Sequence, residues 1–237
     1  MTKILLITDS RGKGIKSRIQ DHPDLSHIDW DIQIIPGATL ENILKRIERG
    51  NRRNTWDHII ILAGICSFTT KTSRRNKKPY IEYKVRNTEE ICNTINSLLN
   101  IGNSTHICTI TPAVLQKASE RQDPEVETEQ LNLEEDIAYV NQHIISRNIE
   151  RDTLTIDLAK LSTIRSIKKQ GNKRKRIIKL NTKDLEDGVH PSISLQENWT
   201  NYIKTMVHRL TNIEDALDDD STEEEPEPWN FKRQART

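Results

Sequence analysis

Two kinds of hydrophobic pattern alternate along the chain. Short apolar runs, rich in isoleucine and leucine, are typical of strands that are buried on both faces of a parallel sheet. Between them, apolar residues recur every three or four positions, which is the spacing of an amphipathic helix. The short runs predict five strands, at Lys3–Thr8, Asp31–Ile35, His58–Ala63, His106–Thr111 and Thr153–Leu158.

The segments between these runs carry helix start signals. Thr39 and Thr88 stand at the starts of two predicted helices, and Glu129–Ile145 forms a third with one apolar stripe. Ser194 and Glu197 have the spacing of a capping box at the start of a fourth. Strands that alternate with helices predict a doubly wound α/β fold with a parallel sheet and right-handed crossovers. Such folds bind ligands at the carboxyl ends of the strands.

The chain of 237 residues is long enough for one such domain with an extension. Residues 213–237 are polar, acidic from Glu214 to Glu227, and without periodicity. We therefore expect a folded domain over residues 1–212 and a disordered acidic tail over residues 213–237. No run approaches the roughly 18 apolar residues of a membrane span, and Lys3 leads directly into a strand, so we expect neither a membrane span nor a signal peptide.

Cysteine and histidine usage favours a reducing compartment without a metal centre. The three cysteines, Cys66, Cys92 and Cys108, are odd in number, lie in or beside predicted core elements and lack the spacing of a zinc site. We expect buried thiols and an intracellular location, either cytoplasmic or nuclear. We expect no metal and no cofactor, since the remaining histidines outside the C-terminal loop are scattered at His22, His27, His58, His106, His143 and His208.

Two segments about 180 residues apart together supply a serine nucleophile, a histidine base and an orienting carboxylate. The first predicted strand runs into Asp9-Ser10, and Asp187-Gly188-Val189-His190 stands near the C-terminal end. A serine hydroxyl is a poor nucleophile unless a histidine takes its proton and a carboxylate orients that histidine. Taken alone, Asp9-Ser10 is also typical of a helix cap, and His190 of an ordinary loop. Together they indicate a Ser…Asp…His site.

This combination resembles the SGNH (GDSL-type) esterase and lipase superfamily over roughly residues 3 to 211. That family has four dispersed sequence blocks, of which Thr8-Asp9-Ser10 matches the first, Gly37 the second and Asp187 to His190 the fourth. The resemblance implies a three-layer, flavodoxin-like α/β fold with a five-stranded parallel sheet. It also implies Ser10 as nucleophile, His190 as general acid and base, and Asp187 as the group that orients His190.

The third block departs from the family pattern of Gly-x-Asn-Asp, because the chain has Gly64-Ile65-Cys66-Ser67 there. The resemblance implies an oxyanion hole built from the backbone N–H groups of Ser10 and Gly37 and the side chain at position 66. A thiol is a weak donor, and loss of one such donor costs about 10²–10³ in turnover. The sequence leaves open a slow esterase of small acyl or acetyl esters, an esterase that recruits another donor, and an inactive binding module.

Cys66 itself fits two descriptions. A small buried residue at a strand end is the first. A cysteine nucleophile is the second, and it is disfavoured because Ser10 already matches the acid–base loop.

Basic residues crowd two segments of the chain. Ser67 to Arg86 is interpreted as a long basic loop beside the expected site. Arg165–Lys179 is interpreted as a solvated loop, as a nuclear-import or nucleic-acid patch, or as a partner of the acidic tail. Esterase domains similar to this one also occur in open reading frames of certain retroelements, so nucleic acid stands beside a small ester as an expected partner. No aromatic residue interleaves the second segment, so it is not expected to stack on bases.

Overall fold

The computed structural model describes residues 1–50, 56–72, 80–84, 87–101, 104–119, 124–170 and 173–211; for residues 80, 118–119, 165–170 and 173–178 it describes the backbone alone. The predicted acidic tail, residues 213–237, lies outside these residues.

The described strands and helices alternate through most of the chain. The strands are β1 (Lys3–Thr8), β2 (Asp29–Ile34), β3 (His58–Leu62), β4 (Thr69–Thr72), β5 (Tyr80–Tyr83), β6 (Thr105–Ile107), β7 (Thr163–Gln170) and β8 (Lys173–Leu180). The helices are α1 (Lys13–Gln20), α2 (Leu40–Gly50), α3 (Ile65–Phe68), α4 (Thr88–Leu99), α5 (Leu115–Ser119), α6 (Pro124–Glu150), α7 (Leu158–Leu161) and α8 (Ile193–Thr211). None of these helices has the length and apolar character needed to cross a bilayer.

A parallel sheet with the strand order β2-β1-β3-β6 forms the centre of the domain. Successive side chains of a strand point to opposite faces, and in β1 they enter two separate cores. Leu5 and Ile7 pack with α2, α4 and α6, whereas Ile4 and Leu6 pack with α1 and α8. The sheet is therefore covered on both faces, which makes the predicted three-layer α/β fold.

The fifth predicted strand is not a regular strand. Thr153–Leu158 forms no ladder with the sheet, and its last residue already begins α7. After β6 the backbone N–H of Cys108 still donates to Ile61, at 2.9 Å, whereas that of Thr109 donates to the carbonyl of Ile156, at 3.0 Å. This bond and a second one, from Thr109 Oγ1 to Asp157 Oδ1 at 2.7 Å, attach the segment beside the edge of a four-stranded sheet. The prediction of β6 was too long for the same reason, since the chain leaves the ladder after Ile107.

Two antiparallel hairpins replace segments for which the sequence predicts loops. β4 pairs with β5 inside the segment Ser67–Arg86, and β7 pairs with β8 inside Arg165–Lys179. Neither pair joins the parallel sheet. The apolar alternation that identifies a half-buried strand is missing from both hairpins, because polar and charged residues occupy most positions.

The helix starts agree with the sequence at Thr39 and at Thr88, where α4 begins, and differ at Ser194. Thr39 caps α2, since its Oγ1 accepts a hydrogen bond from the backbone N–H of Asn42 at 3.2 Å. The capping box predicted at Ser194 is wrong, because α8 begins earlier and Ser192 Oγ accepts from the N–H of Leu195 at 3.2 Å. The capping residue Ser192 therefore follows Pro191 directly, and the loop that contains Asp187–His190 ends at this cap.

Candidate active site

Ser10 stands at the carboxyl end of the central strand β1. It opens a short 3₁₀ turn, Ser10–Gly12, which Asp9 caps by accepting a hydrogen bond from the N–H of Arg11 at 2.9 Å. The turn folds back closely on β1, since a Cβ atom at Gly12 would lie 2.3 Å from the side chain of Thr8. A side chain at position 12 would therefore collide with Thr8 unless the turn or the strand end shifted.

The loop Asp187–His190 is shaped by its own carboxylate. Asp187 Oδ1 accepts hydrogen bonds from the backbone N–H groups of Val189, at 2.9 Å, and His190, at 2.8 Å. Gly188 has a φ of +86°, a left-handed conformation that favours glycine. The carbonyl of Gly188 also accepts from the N–H of Val114 at 2.7 Å, which ties the loop to the segment after β6.

The fold brings the three residues predicted from the sequence together. Nε2 of His190 lies 3.0 Å from Oγ of Ser10, and Nδ1 of His190 lies 2.6 Å from Oδ2 of Asp187. Both distances are within the hydrogen-bond reach that nucleophile activation requires. The side chains of His190 and Asp187 are 41% and 58% exposed, so the group opens directly to solvent.

The environment of Asp187 favours its charged form. Partial burial alone would raise its pKa, but hydrogen bonds from the backbone and ring of His190 and from the backbone of Val189 outweigh it and place the pKa below the ordinary value. The carboxylate is thus ionised at neutral pH and accepts the Nδ1 proton of His190. That leaves Nε2 as the proton acceptor toward Ser10.

The residues predicted for the oxyanion hole lie at the same edge of the sheet. Gly37 follows β2 with a φ of +75°, and among the described residues no heavy atom beyond its own chain neighbours lies within 4 Å of where its Cβ would stand. Cys66 lies in α3, directly after β3, and is half-buried. Burial, helped by the charge of Asp9, raises the pKa of Cys66 to about 11. Its thiol is therefore protonated at neutral pH, which weakens the case for a cysteine nucleophile.

Ser67 has a structural task that the sequence did not reveal. Its backbone N–H donates to the carbonyl of Gly64 at 2.9 Å, and its Oγ accepts from the N–H of Leu40 at 3.0 Å. This second bond satisfies one of the open donors at the first turn of α2. The segment Gly64–Ser67 is therefore hydrogen-bonded to α2, although Ser67 stands where the family pattern has an aspartate.

Arg11 is a buried cation beneath the site. Its Nη1 donates to the carbonyl of Thr111 at 2.6 Å, and among the described residues its Nε and Nη2 have no hydrogen-bond partner. Burial lowers the pKa of Arg11, and the negative charges of Asp9 and Asp187 oppose this shift. Burial also raises the pKa of Asp9, and the charge of Arg11 opposes that rise. No sequence signal marked Arg11, since a charged residue after a strand usually faces solvent.

A cavity of about 320 Å³ lies between α6 and the base of the hairpin β7–β8. Ile137, Asn141, Asp157 and Leu180 contribute to its lining, whereas Ser10 and the acid–base loop do not. Within the described part of the chain, no group of three or more His, Cys, Asp or Glu side chains is arranged to hold a metal ion.

Comparison of the sequence with protein-family models and with curated proteins gives no match. Comparison of the fold with solved structures gives many matches. A lipase/acylhydrolase from Enterococcus faecalis is 16% identical, with 87% of this chain and 95% of that chain covered at a TM-score of 0.58. A lipolytic protein of the G-D-S-L family from Veillonella parvula is 11% identical, with 88% and 100% covered at a TM-score of 0.61.

A third similar structure is a psychrotrophic esterase from Pseudoalteromonas sp., inhibited by monoethylphosphonate. It is 13% identical, with 90% of this chain and 100% of that chain covered at a TM-score of 0.54. The similarity thus extends over nearly the whole length of these proteins at low sequence identity. The protein described here therefore has the fold of the SGNH (GDSL-type) hydrolases.

Proposed function

We infer that the protein is a serine esterase that hydrolyses small acyl or acetyl esters. The observation that carries this inference is the hydrogen-bonded series from Ser10 through His190 to Asp187, at 3.0 Å and 2.6 Å. The hydrolases with a similar fold support it, since those named above are a lipase/acylhydrolase, a lipolytic protein and an esterase.

The first step forms a covalent intermediate. His190 Nε2 takes the proton of Ser10 as the serine oxygen attacks the ester carbonyl carbon, and the carbonyl π electrons move to oxygen. The ionised Asp187 stabilises the imidazolium that results. His190 then gives its proton to the leaving alkoxide, which departs as an alcohol and leaves the acyl group on Ser10.

Water completes the cycle by the same proton transfers. His190 takes a proton from water as the water oxygen attacks the acyl carbon, and it returns a proton to Ser10 when the acid leaves. In both steps the carbonyl oxygen carries negative charge, for which the N–H groups of Ser10 and Gly37 are the proposed donors. The Cys66 thiol is a weak third donor, so we expect slow turnover.

The three cysteines at positions 66, 92 and 108 are free thiols. This supports an intracellular location, because disulfides are rare where thiols are kept reduced. The proposed substrate is accordingly a small ester within the cell.

Hydrolysis of p-nitrophenyl acetate by the full-length protein tests the proposal. We expect Ser10→Ala to abolish the activity above the background rate. Ser17→Ala is the matched control, because Ser17 is an exposed serine on the neighbouring helix α1 and its loss should leave the rate unchanged. A fluorophosphonate probe should label the wild type and Ser17→Ala but not Ser10→Ala.

The alternative is a catalytically inactive module with the same fold that serves in binding. Cys66 in the third block favours it, because the site lacks one strong oxyanion donor. Equal hydrolysis and equal probe labelling of the wild type and Ser10→Ala would reject the esterase and leave this alternative.

A further inference from the structure

The basic segment that precedes the acid–base loop forms a ribbon of its own. Within the described sheets, β7 and β8 pair only with each other, from Thr163 opposite Leu180 to Gln170 opposite Lys173. An isolated two-stranded ribbon is at best marginally stable in water. A partner that binds both strands would therefore also stabilise the ribbon.

Half of the residues in these two strands are cations. The strand sequences TIRSIKKQ and KRKRIIKL contain no Asp and no Glu. Their basic residues are Arg165, Lys168, Lys169, Lys173, Arg174, Lys175, Arg176 and Lys179. Six of these eight lie in the half of the ribbon that is farther from the domain, between positions 168 and 176.

The strand register places like charges opposite one another. Lys168 is paired with Lys175, and Lys169 with Arg174. Like charges at directly opposite positions of an antiparallel pair are in general destabilising. A register of this kind therefore favours a partner that brings a regular row of negative charges.

Duplex DNA offers such a row in a shape that fits. It carries one negative charge per roughly 1.7 Å of helix axis, and its major groove, about 12 Å wide, admits a two-stranded β-ribbon. A strand of eight residues extends over roughly 26 Å. The ribbon contains no Phe, Trp or Tyr, so it lacks the stacking platforms that are typical of single-strand binding.

We propose that the ribbon β7–β8 is a docking surface for duplex DNA, held through the phosphates and without base preference. If the six outer cations each contact one phosphate, the slope of log K against log salt is about −5, and affinity falls about 10³-fold between 50 and 200 mM salt. This surface is separate from the ester chemistry and does not depend on it.

Fluorescence anisotropy with a labelled 20-base-pair DNA duplex and the full-length protein tests the proposal. The ribbon variant is K168Q/K169Q/K175Q. The matched control is K45Q/R46Q/R49Q, which removes the same charge from three exposed positions of α2. We expect the ribbon variant to bind at least 10-fold more weakly at 50 mM salt, with a salt slope smaller by about three. The control should bind within twofold of the wild type.

Three results would overturn the proposal. The first is no measurable binding at 50 mM salt, and the second is equal weakening by the ribbon and control variants, which would mean a net-charge effect. The third is tighter binding of single-stranded DNA, duplex RNA or polyglutamate than of duplex DNA. Circular dichroism checks folding, and if the triple variant is unfolded, K169Q alone should still reduce the slope by about one.

Discussion

Asp9 and Arg11 are both withdrawn from solvent on either side of Ser10, and Asp9 Oδ1 accepts a hydrogen bond from the backbone N–H of Arg11 at 2.9 Å. The turn that carries the proposed nucleophile thus contains a buried pair of opposite charges. The two side chains make no direct ion pair, since Asp9 Oδ2 and Arg11 Nε and Nη2 have no hydrogen-bond partner among the described residues. Each buried charge is nevertheless costly when the opposite charge nearby is removed.

We therefore expect Arg11→Met to lower the free energy of unfolding by about 1–3 kcal/mol at pH 7, because the buried Asp9 carboxylate loses the opposite charge nearby and the Thr111 carbonyl loses its donor. The loss should shrink at acidic pH, because a protonated Asp9 no longer buries a charge. Asp9→Asn keeps the Oδ1 acceptor for the turn, so the double variant should recover part of the loss. Urea unfolding at several pH values measures all three variants, and a loss below about 1 kcal/mol for Arg11→Met would contradict the expectation.

Cys66→Asn should raise the turnover of short esters by about 10-fold or more, because an amide is a stronger hydrogen-bond donor to the oxyanion than a thiol. Cys66→Ala is the matched control, and it separates the loss of the thiol from the gain of the amide. Steady-state kinetics on p-nitrophenyl acetate gives both values. An unchanged rate in a folded Cys66→Asn protein would show that another group already fills the hole.

Asp187→Asn should lower kcat by about 10⁴-fold, the cost of the equivalent change in a serine protease. The two backbone N–H groups that bind Oδ1 of Asp187 would hold the asparagine Oδ1 in the same place. The amide nitrogen would then face Nδ1 of His190 and force its proton onto Nε2, which can no longer accept from Ser10. Glu186→Gln, an exposed neighbour, should leave kcat unchanged. A loss below about 10-fold for Asp187→Asn would argue against the assigned role.

Burial of His106 should lower the free energy of unfolding at acidic pH. Its side chain is buried in the sheet, and burial, together with the nearby His58, lowers its pKa to about 4 from an ordinary 6.5. Between these values the unfolded chain binds the proton and the folded chain does not, so stability falls as pH drops from about 6.5 to about 4. The total is about 3 kcal/mol. His106→Phe should flatten urea-derived stability over this range, and an unaltered slope would assign the effect to other groups.

The acidic tail and the basic ribbon have complementary charge. If the tail occupies the ribbon at high effective concentration, a protein truncated after Asn212 should bind duplex DNA more tightly than the full chain, most clearly at low salt. In the full chain, E223Q/E224Q/E225Q should reproduce part of this gain. Equal affinity of the truncated and full-length proteins would exclude competition by the tail.

The central strands and the acid–base loop were predictable because each depends on short-range sequence information. Lys3–Thr8 is apolar on both faces and was predicted with its observed bounds. The loop Asp187–His190 was predictable because its carboxylate bonds to the backbone of its own residues. Such local patterns survive in a single sequence.

Features that depend on a distant partner were not predictable. Arg11 is buried because the Thr111 carbonyl meets it, and Ser67 matters because Leu40 lies beside it. The segment that forms the ribbon β7–β8 was interpreted as a solvated loop, as a nuclear-import or nucleic-acid patch, or as a partner of the acidic tail. Its pairing was not predicted, because its strands lack apolar alternation. The fifth strand was predicted from an apolar run, but in the described part of the chain that run is attached beside the sheet edge by isolated hydrogen bonds from Thr109 and not by a ladder.

The contact between Ser10 and His190 joins two points separated by 180 residues of chain. During synthesis the serine leaves the ribosome well before its histidine, which follows only when nearly the whole domain has been made. A nascent or truncated chain that ends before residue 190 therefore carries an unactivated serine. Reaction of Ser10 with a phosphonate would then show that the domain has been completed and folded. Before that point the serine would react with the phosphonate only slowly.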